Sequence, residues 1–240
     1  MLNLILQKMV PLLTTFALFI NSIGGLFGVS AVIPYNPERT EIVVSGEITT
    51  DVAEILDYYN SAVKKTGFVI GKTKSHIIGT PTINSNGNFS VDMSAYWDAL
   101  EATETYVFEI PGDGNIIPSD VKSAKMSVND GKRVIILEIK DVKSATETDG
   151  ALSRAYGWTS NASDIYSSLG MEIEGGEIKE SYTDNKISCV IDEKSGKIIY
   201  GDWDSTGTIS MKDVTVTMKF LEDYSLTMSM DYTARSYIDV

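Results

Sequence analysis

Val214-Thr215-Val216-Thr217-Met218-Lys219-Phe220 alternates apolar and polar side chains without a break. Beyond a turn at Glu222-Asp223, Leu226, Met228, Met230 and Tyr232 alternate in the same way with Thr227, Ser229, Asp231 and Thr233. A period of two with one apolar face is the pattern of antiparallel strands covered on one side only. Upstream, Lys186 to Ile191 and Lys197 to Trp203 flank Asp192-Glu193-Lys194-Ser195-Gly196, a turn with Gly placed for a left-handed conformation. Val121 to Val128 and Arg133 to Val142 flank Asp130-Gly131, a dipeptide suited to a tight two-residue hairpin turn.

A covering element lies ahead of these strands. Val52, Ile55, Leu56, Tyr59, Ala62 and Val63 recur at helical spacing and form one apolar stripe. Asp51 followed by Glu54 gives a capping signal, Lys64 and Lys65 suit the far end, and Gly67 suits the stop. The spacing therefore predicts a helix over 51–66. Between this helix and the first hairpin, Phe68 to Thr80 reads as strand, and Pro81 with 84–88 reads as a loop. Phe89, Met93, Tyr96, Trp97 and Leu100 form a second helical stripe, and Tyr106 to Ile110 a short strand. Residues 151–158 and 161–169 read as short helices or turns.

Together these signals predict an α+β fold: a curved antiparallel meander, half-barrel-like, covered by the amphipathic helix 51–66. Residues 47–240 are expected to form a single domain, with a boundary near 143–160 as the alternative.

The first 31 residues differ from the rest. Lys8 is the only charged side chain before Glu38, an apolar run covers Met9 to Ile20, and Val29-Ser30-Ala31 offers a small-residue cleavage site. Those are the parts of a secretory signal peptide, or of a retained membrane anchor. Residues 32–46 read as a tether. Either reading of 1–31 predicts an extracellular or cell-surface domain, with membrane contact only through an uncleaved 1–31.

The chain carries 33 acidic against 20 basic side chains, a formal charge of −13. Removing residues 1–31 takes away one base, so 33 against 19 leaves −14. Such a surface repels phosphate backbones, and nucleic acid is not an expected partner. The single cysteine, Cys189, shares the parity of Ile187 and Ile191 and reads as a small core residue. His76, the single histidine, sits in a predicted strand. No motif for phosphate, zinc or redox chemistry is present, and no catalytic residue, metal ligand or cofactor is assigned. Asp202 and Asp204, on either side of Trp203, and Asp113-Gly114-Asn115 are oxygen-rich but lack the spacing of a calcium loop.

Two features read as binding surfaces. The first is the methionine-rich sheet face: Met218, Met228 and Met230, with Ile55 of the helix, are expected to line an apolar cleft. The second is a set of aromatics expected to be exposed, Tyr58, Trp158 and Trp203, suited to stacking on a protein or glycan.

At Leu56-Asp57-Tyr58-Tyr59-Asn60-Ser61-Ala62-Val63, Pro118-Ser119-Asp120-Val121-Lys122-Ser123-Ala124 and Ile191-Asp192-Glu193-Lys194-Ser195-Gly196-Lys197-Ile198, the chain resembles uncharacterised exported domains of gram-positive gut bacteria. Its order of helix then meander also resembles the lipoprotein-carrier half-barrels of the LolA/LppX type. That resemblance implies an acyl chain cupped in a curved sheet. The reading that follows is a non-enzymatic exported binding module, with a lipid or other apolar ligand or a cell-surface partner. Protein or glycan recognition through the aromatics is the alternative, and a hydrolase using a carboxylate pair is a third reading.

Overall fold

A computed structural model of the chain describes residues 29–30, 42–85, 89–92, 104–143, 150–157, 167, 171–218 and 224–240. Eleven strands are described: β1 (Val29–Ser30), β2 (Ile48–Thr49), β3 (Phe68–Ser85), β4 (Phe89–Asp92), β5 (Glu104–Glu109), β6 (Val121–Asn129), β7 (Lys132–Ile139), β8 (Met171–Glu174), β9 (Glu177–Asp192), β10 (Lys197–Met218) and β11 (Tyr224–Asp239). They form one antiparallel sheet in the order β1-β5-β3-β11-β10-β9-β7-β6-β2, with β4 added to β3 and β8 to β10. Helix α1 (Val52–Thr66) and the short helix α2 (Ala151–Tyr156) accompany it. The two halves of the chain that read as sheet-forming, 68–142 and 177–240, thus share a single sheet. The fold is the expected α+β arrangement with an antiparallel sheet.

Local chemistry accounts for the elements. The Asp51 carboxylate accepts from the backbone N–H groups of Ala53 and Glu54 at 3.0 and 3.1 Å, satisfying two orphan donors of the first turn of α1. Gly67 ends the helix at φ 70°, where a Cβ would be strained. Asp130 and Gly131 both take positive φ, 50° and 70°, as a two-residue turn matching the strand twist requires. The turn at 192–196 closes on the Asp192 side chain, which accepts from the backbone N–H and hydroxyl of Ser195.

Three sequence expectations are corrected. Phe89–Asp92 is a strand paired with Thr82–Ser85, not the start of a helix; four residues alternate as well with period two as with period 3.6. The rest of that predicted helix lies outside the described residues. Pro81 does not open a loop, because β3 continues through it to Ser85. Its register against β11 slips between the Ile78↔Thr233 and Thr82↔Asp231 pairs, so the proline sits where a bulge needs no ladder donor. Finally, β10 does not stop at Trp203. It runs 22 residues, with register shifts at Ile198/Tyr200, Asp204/Thr206 and Met211/Val214. Each bulge interrupts the alternation, so a continuous strand reads in sequence as two.

The core lies between α1 and one face of the sheet. Ile55, Leu56, Tyr59, Ala62 and Val63 of the helix pack with Ala124, Met126, Ile135, Leu137, Ile187, Cys189, Ile198 and Trp203. Helix α2 adds Leu152, Ala155 and Tyr156 to the same cluster. The α1 end is fixed by the Thr66 hydroxyl, which accepts from the N–H of Ile198 at 2.9 Å. Among the described residues, no helix is long and apolar enough to cross a membrane.

Candidate functional site: a charged cleft at a double bulge

The sheet face turned away from α1 carries the chemistry. Between Asp204 and Thr206 the β9–β10 ladder skips Asp184 and Asn185 on one strand and Ser205 on the other. Asp184 takes φ 53°, a left-handed conformation that few side chains other than Asn and Asp tolerate. Asn185 is thereby turned inward and is only 2% exposed. Its amide nitrogen donates to the carbonyls of Lys140 and Tyr182, both at 3.2 Å, and its oxygen accepts from the Ser205 hydroxyl at 2.7 Å. Burial of such a side chain is tolerable only when its polar atoms are paired in this way. Tyr156 of α2 donates its hydroxyl to the carbonyl of Asp204 at 2.7 Å, clamping the same bulge from the core side. Burial raises the Tyr156 phenol well above its ordinary value, so it remains a neutral donor.

Above this locked floor opens a cleft of about 470 Å³, lined by Lys122, Glu138, Ile139, Asp141, Asp184, Asn185, Lys186, Asp204 and Thr206. The register places Glu138, Lys186 and Asp204 side by side on β7, β9 and β10. Lys122 enters from a further bulge, since β6 slips by one residue between Val121 and Ser123. Five ionic groups of the lining, Lys122, Lys186, Glu138, Asp141 and Asp184, make no ion pair or side-chain hydrogen bond to another described residue. Chemically, this is a polar cavity on a rigid floor, presenting ammonium and carboxylate groups that have not neutralised one another.

A second groove, of about 580 Å³, runs between α1 and residues 114–117. Three of its polar side chains, Asn60, Lys64 and Asn115, are already engaged. Asn60 both donates to the carbonyl of Ile116 and accepts from its N–H, and Lys64 donates to the side chain of Asn115 at 2.7 Å. Those contacts fasten the 114–117 loop to α1.

The residues singled out from sequence fall in different places. Trp203 is 1% exposed, and its expected role as an exposed aromatic is overturned. The extension of β10 beyond it turns an apparent strand end into a strand interior. Ile55 is fully buried in the core cluster with Trp203 and lines neither of the two clefts described above. By register Met230 lies opposite Met211, and Met228 opposite Val214. Met218 is fifteen positions beyond Trp203 (218 − 203), about 50 Å along an extended strand. A fifteen-residue helix is only about 22 Å long, so α1, anchored at Ile198 and Trp203, does not reach the Met218 end of β10. The side chains of Met218, Met228 and Met230, and all of Trp158, lie outside the described residues. Tyr58 is exposed as expected, at 43%, but the Arg133 guanidinium lies 3.3 Å from its ring centroid and is itself tied to Glu193 at 2.9 Å. One face of that ring is therefore occupied.

Cys189 is fully buried, and burial pushes its thiol up, away from the thiolate a nucleophile needs. Among the described residues, no group of three or more His, Cys, Asp or Glu side chains is arranged to hold a metal ion. The cleft residues were not legible as a site from sequence, since they come from four strands and the segment after β7. The one available signal was Asp184-Asn185 in a strand interior, a pair that tolerates left-handed backbone and marks a bulge. The chain matches no family model, no curated protein and no solved structure.

Proposed function

We propose that this chain is an exported, non-enzymatic recognition module that seats a small polar ligand in the cleft at the β9–β10 double bulge. The observation that carries this reading is the set of five ionic side chains, none paired with another described residue, around one cavity of about 470 Å³. Unpaired charges gathered over a buried, fully bonded floor contribute little to stability, and such groups are the usual means of orienting a ligand. The left-handed Asp184 supports the same reading, because backbone strain concentrates where a side chain must be aimed. The test is backbone-amide shift mapping against pooled amino acids, short peptides and oligosaccharides. Saturable shifts clustered on 138–141, 183–186 and 204–206 support the reading. Shifts elsewhere, or none, overturn it.

A second reading keeps an apolar ligand on the methionine face. It is favoured by the register, which sets Met211 against Met230 and, across a register shift, Val214 against Met228. Native mass spectrometry of the protein purified without detergent separates the two. An added mass of a few hundred daltons, extractable as lipid, favours the apolar ligand, and a bare mass removes it.

A further inference from the structure

We infer that the ligand of this cleft is a short peptide bearing a basic group, held by its ammonium or guanidinium among the carboxylates and by its own carboxylate on the two lysines. The inference rests on the cleft being the binding site and goes further by naming the ligand's chemistry. Asp204 already has a partner, which leaves three carboxylates (Glu138, Asp141, Asp184) against two ammonium groups (Lys122, Lys186), a formal −1 among the lining groups open to a ligand. A ligand of one sign meets repulsion from one of the two sets. A ligand with more positive than negative charge satisfies both. The register interleaves the signs, with Lys186 between Glu138 and Asp204, so the ammonium and carboxylate of the ligand must lie a few ångströms apart. That spacing is native to peptides and foreign to fatty acids, neutral sugars and polyphosphates. The chain's overall −13 draws cations toward the cleft before contact is made.

The remaining polar lining fits the same occupant. Thr206 stands beside Asp204 with a hydroxyl that can donate to or accept from a peptide group. Asn185, whose side chain is fully engaged below, stiffens the floor and does not compete for the ligand. The cleft volume, about 470 Å³, is within the range of sites that enclose a small molecule or a few residues of peptide.

The experiment uses the full chain at about 0.15 M salt, where surface charges more than roughly 8 Å apart are largely screened. Four probes are titrated calorimetrically and by amide shifts: trilysine, trilysine amide, triglutamate and maltotriose. The expected result is saturable binding of trilysine at the cleft, at least tenfold tighter than triglutamate. Asp184→Asn, which keeps a side chain tolerant of the left-handed backbone, should weaken trilysine at least tenfold. Asp57→Asn on α1 should leave it unchanged. Lys186→Gln should abolish the preference for trilysine over its amide, because that preference reads the ligand carboxylate. Equal binding of trilysine to the Asp184→Asn and unaltered proteins overturns the inference. Maltotriose or triglutamate binding at the cleft in preference to trilysine also overturns it while leaving the cleft as the binding site. No shift at the cleft with any probe overturns both.

Discussion

The indole N–H of Trp203 donates to the phenol oxygen of Tyr59 across 3.1 Å, joining the longest strand to the long helix inside the core. Both side chains are fully buried, and desolvation by burial drives the Tyr59 phenol far above its ordinary value, so it stays neutral at all ordinary pH. Tyr59→Phe keeps the ring and removes the acceptor. The Trp203 N–H is then buried without a partner, at a cost of about 1–3 kcal/mol. Urea denaturation is the check, and an unchanged midpoint would show that another acceptor takes over.

A stronger dependence is expected at Arg154. Its guanidinium grips Asp120 through two bonds, Nε to Oδ2 at 2.7 Å and Nη2 to Oδ1 at 2.6 Å, and the carboxylate also accepts from the N–H of Ile117. The pair ties α2 to the one-turn helix at Pro118–Asp120, and Asp120 is 5% exposed. Arg154→Ala leaves a buried carboxylate uncompensated, a loss of about 3–5 kcal/mol. Arg154→Lys should recover little, because an ammonium cannot make the planar two-point contact. Adding Asp120→Asn to Arg154→Ala should recover part of the loss, and a double variant no better than the single would refute the charge-based account.

The Asp192 turn offers a pH test. Hydrogen bonds from the Ser195 hydroxyl, and then from its backbone N–H, hold the Asp192 carboxyl below its ordinary value of 3.8, with Lys194 and Lys132 adding to the effect. A depressed carboxyl stabilises the fold fully above that ordinary value, and the contribution disappears as pH falls through the lowered folded-state value. Ser195→Ala should bring the Asp192 titration, followed by carboxyl-carbon NMR, back toward 3.8. Identical curves for the two proteins would discard the hydroxyl as the cause.

The parts legible in sequence were those whose signal is local. The 51–66 helix announces itself by stripe, cap and stop, and the Asp130-Gly131 hairpin by a dipeptide that tolerates positive φ at both turn positions. Cys189 could be placed in the core by parity alone. Trp203 could not. Its exposure depended on whether β10 continued, and Ser205-Thr206-Gly207-Thr208 carries no alternation to say so. The cleft was hidden for the related reason that bulges are register events between strands. Nothing within one strand states which residue of its neighbour is skipped. The distance of the Met218, Met228 and Met230 positions from α1 follows from where the helix is pinned, at Ile198 and Trp203.

Asp184 and Asp213 provide a matched pair for separating strain from use. Both are non-glycine residues in left-handed backbone at bulges, with φ 53° and 52°. Asp213 has a structural occupation, since its N–H donates to the Ser229 hydroxyl at 2.9 Å beside the tight approach of Gly176. The side chain of Asp184 instead lines the cleft. Glycine relieves left-handed strain but gains freedom in the unfolded chain, so the two effects partly offset one another. Asp184→Gly should therefore leave stability within about 1 kcal/mol of the starting protein, or raise it by up to that amount, by urea denaturation. The same protein should lose the binding seen by amide shifts at 138–141 and 204–206. Asp213→Gly should be similar in stability and unchanged in binding. A destabilised Asp184→Gly that still binds would mean that the aspartate is there to hold the bulge, and the cleft would lose its best-placed contact.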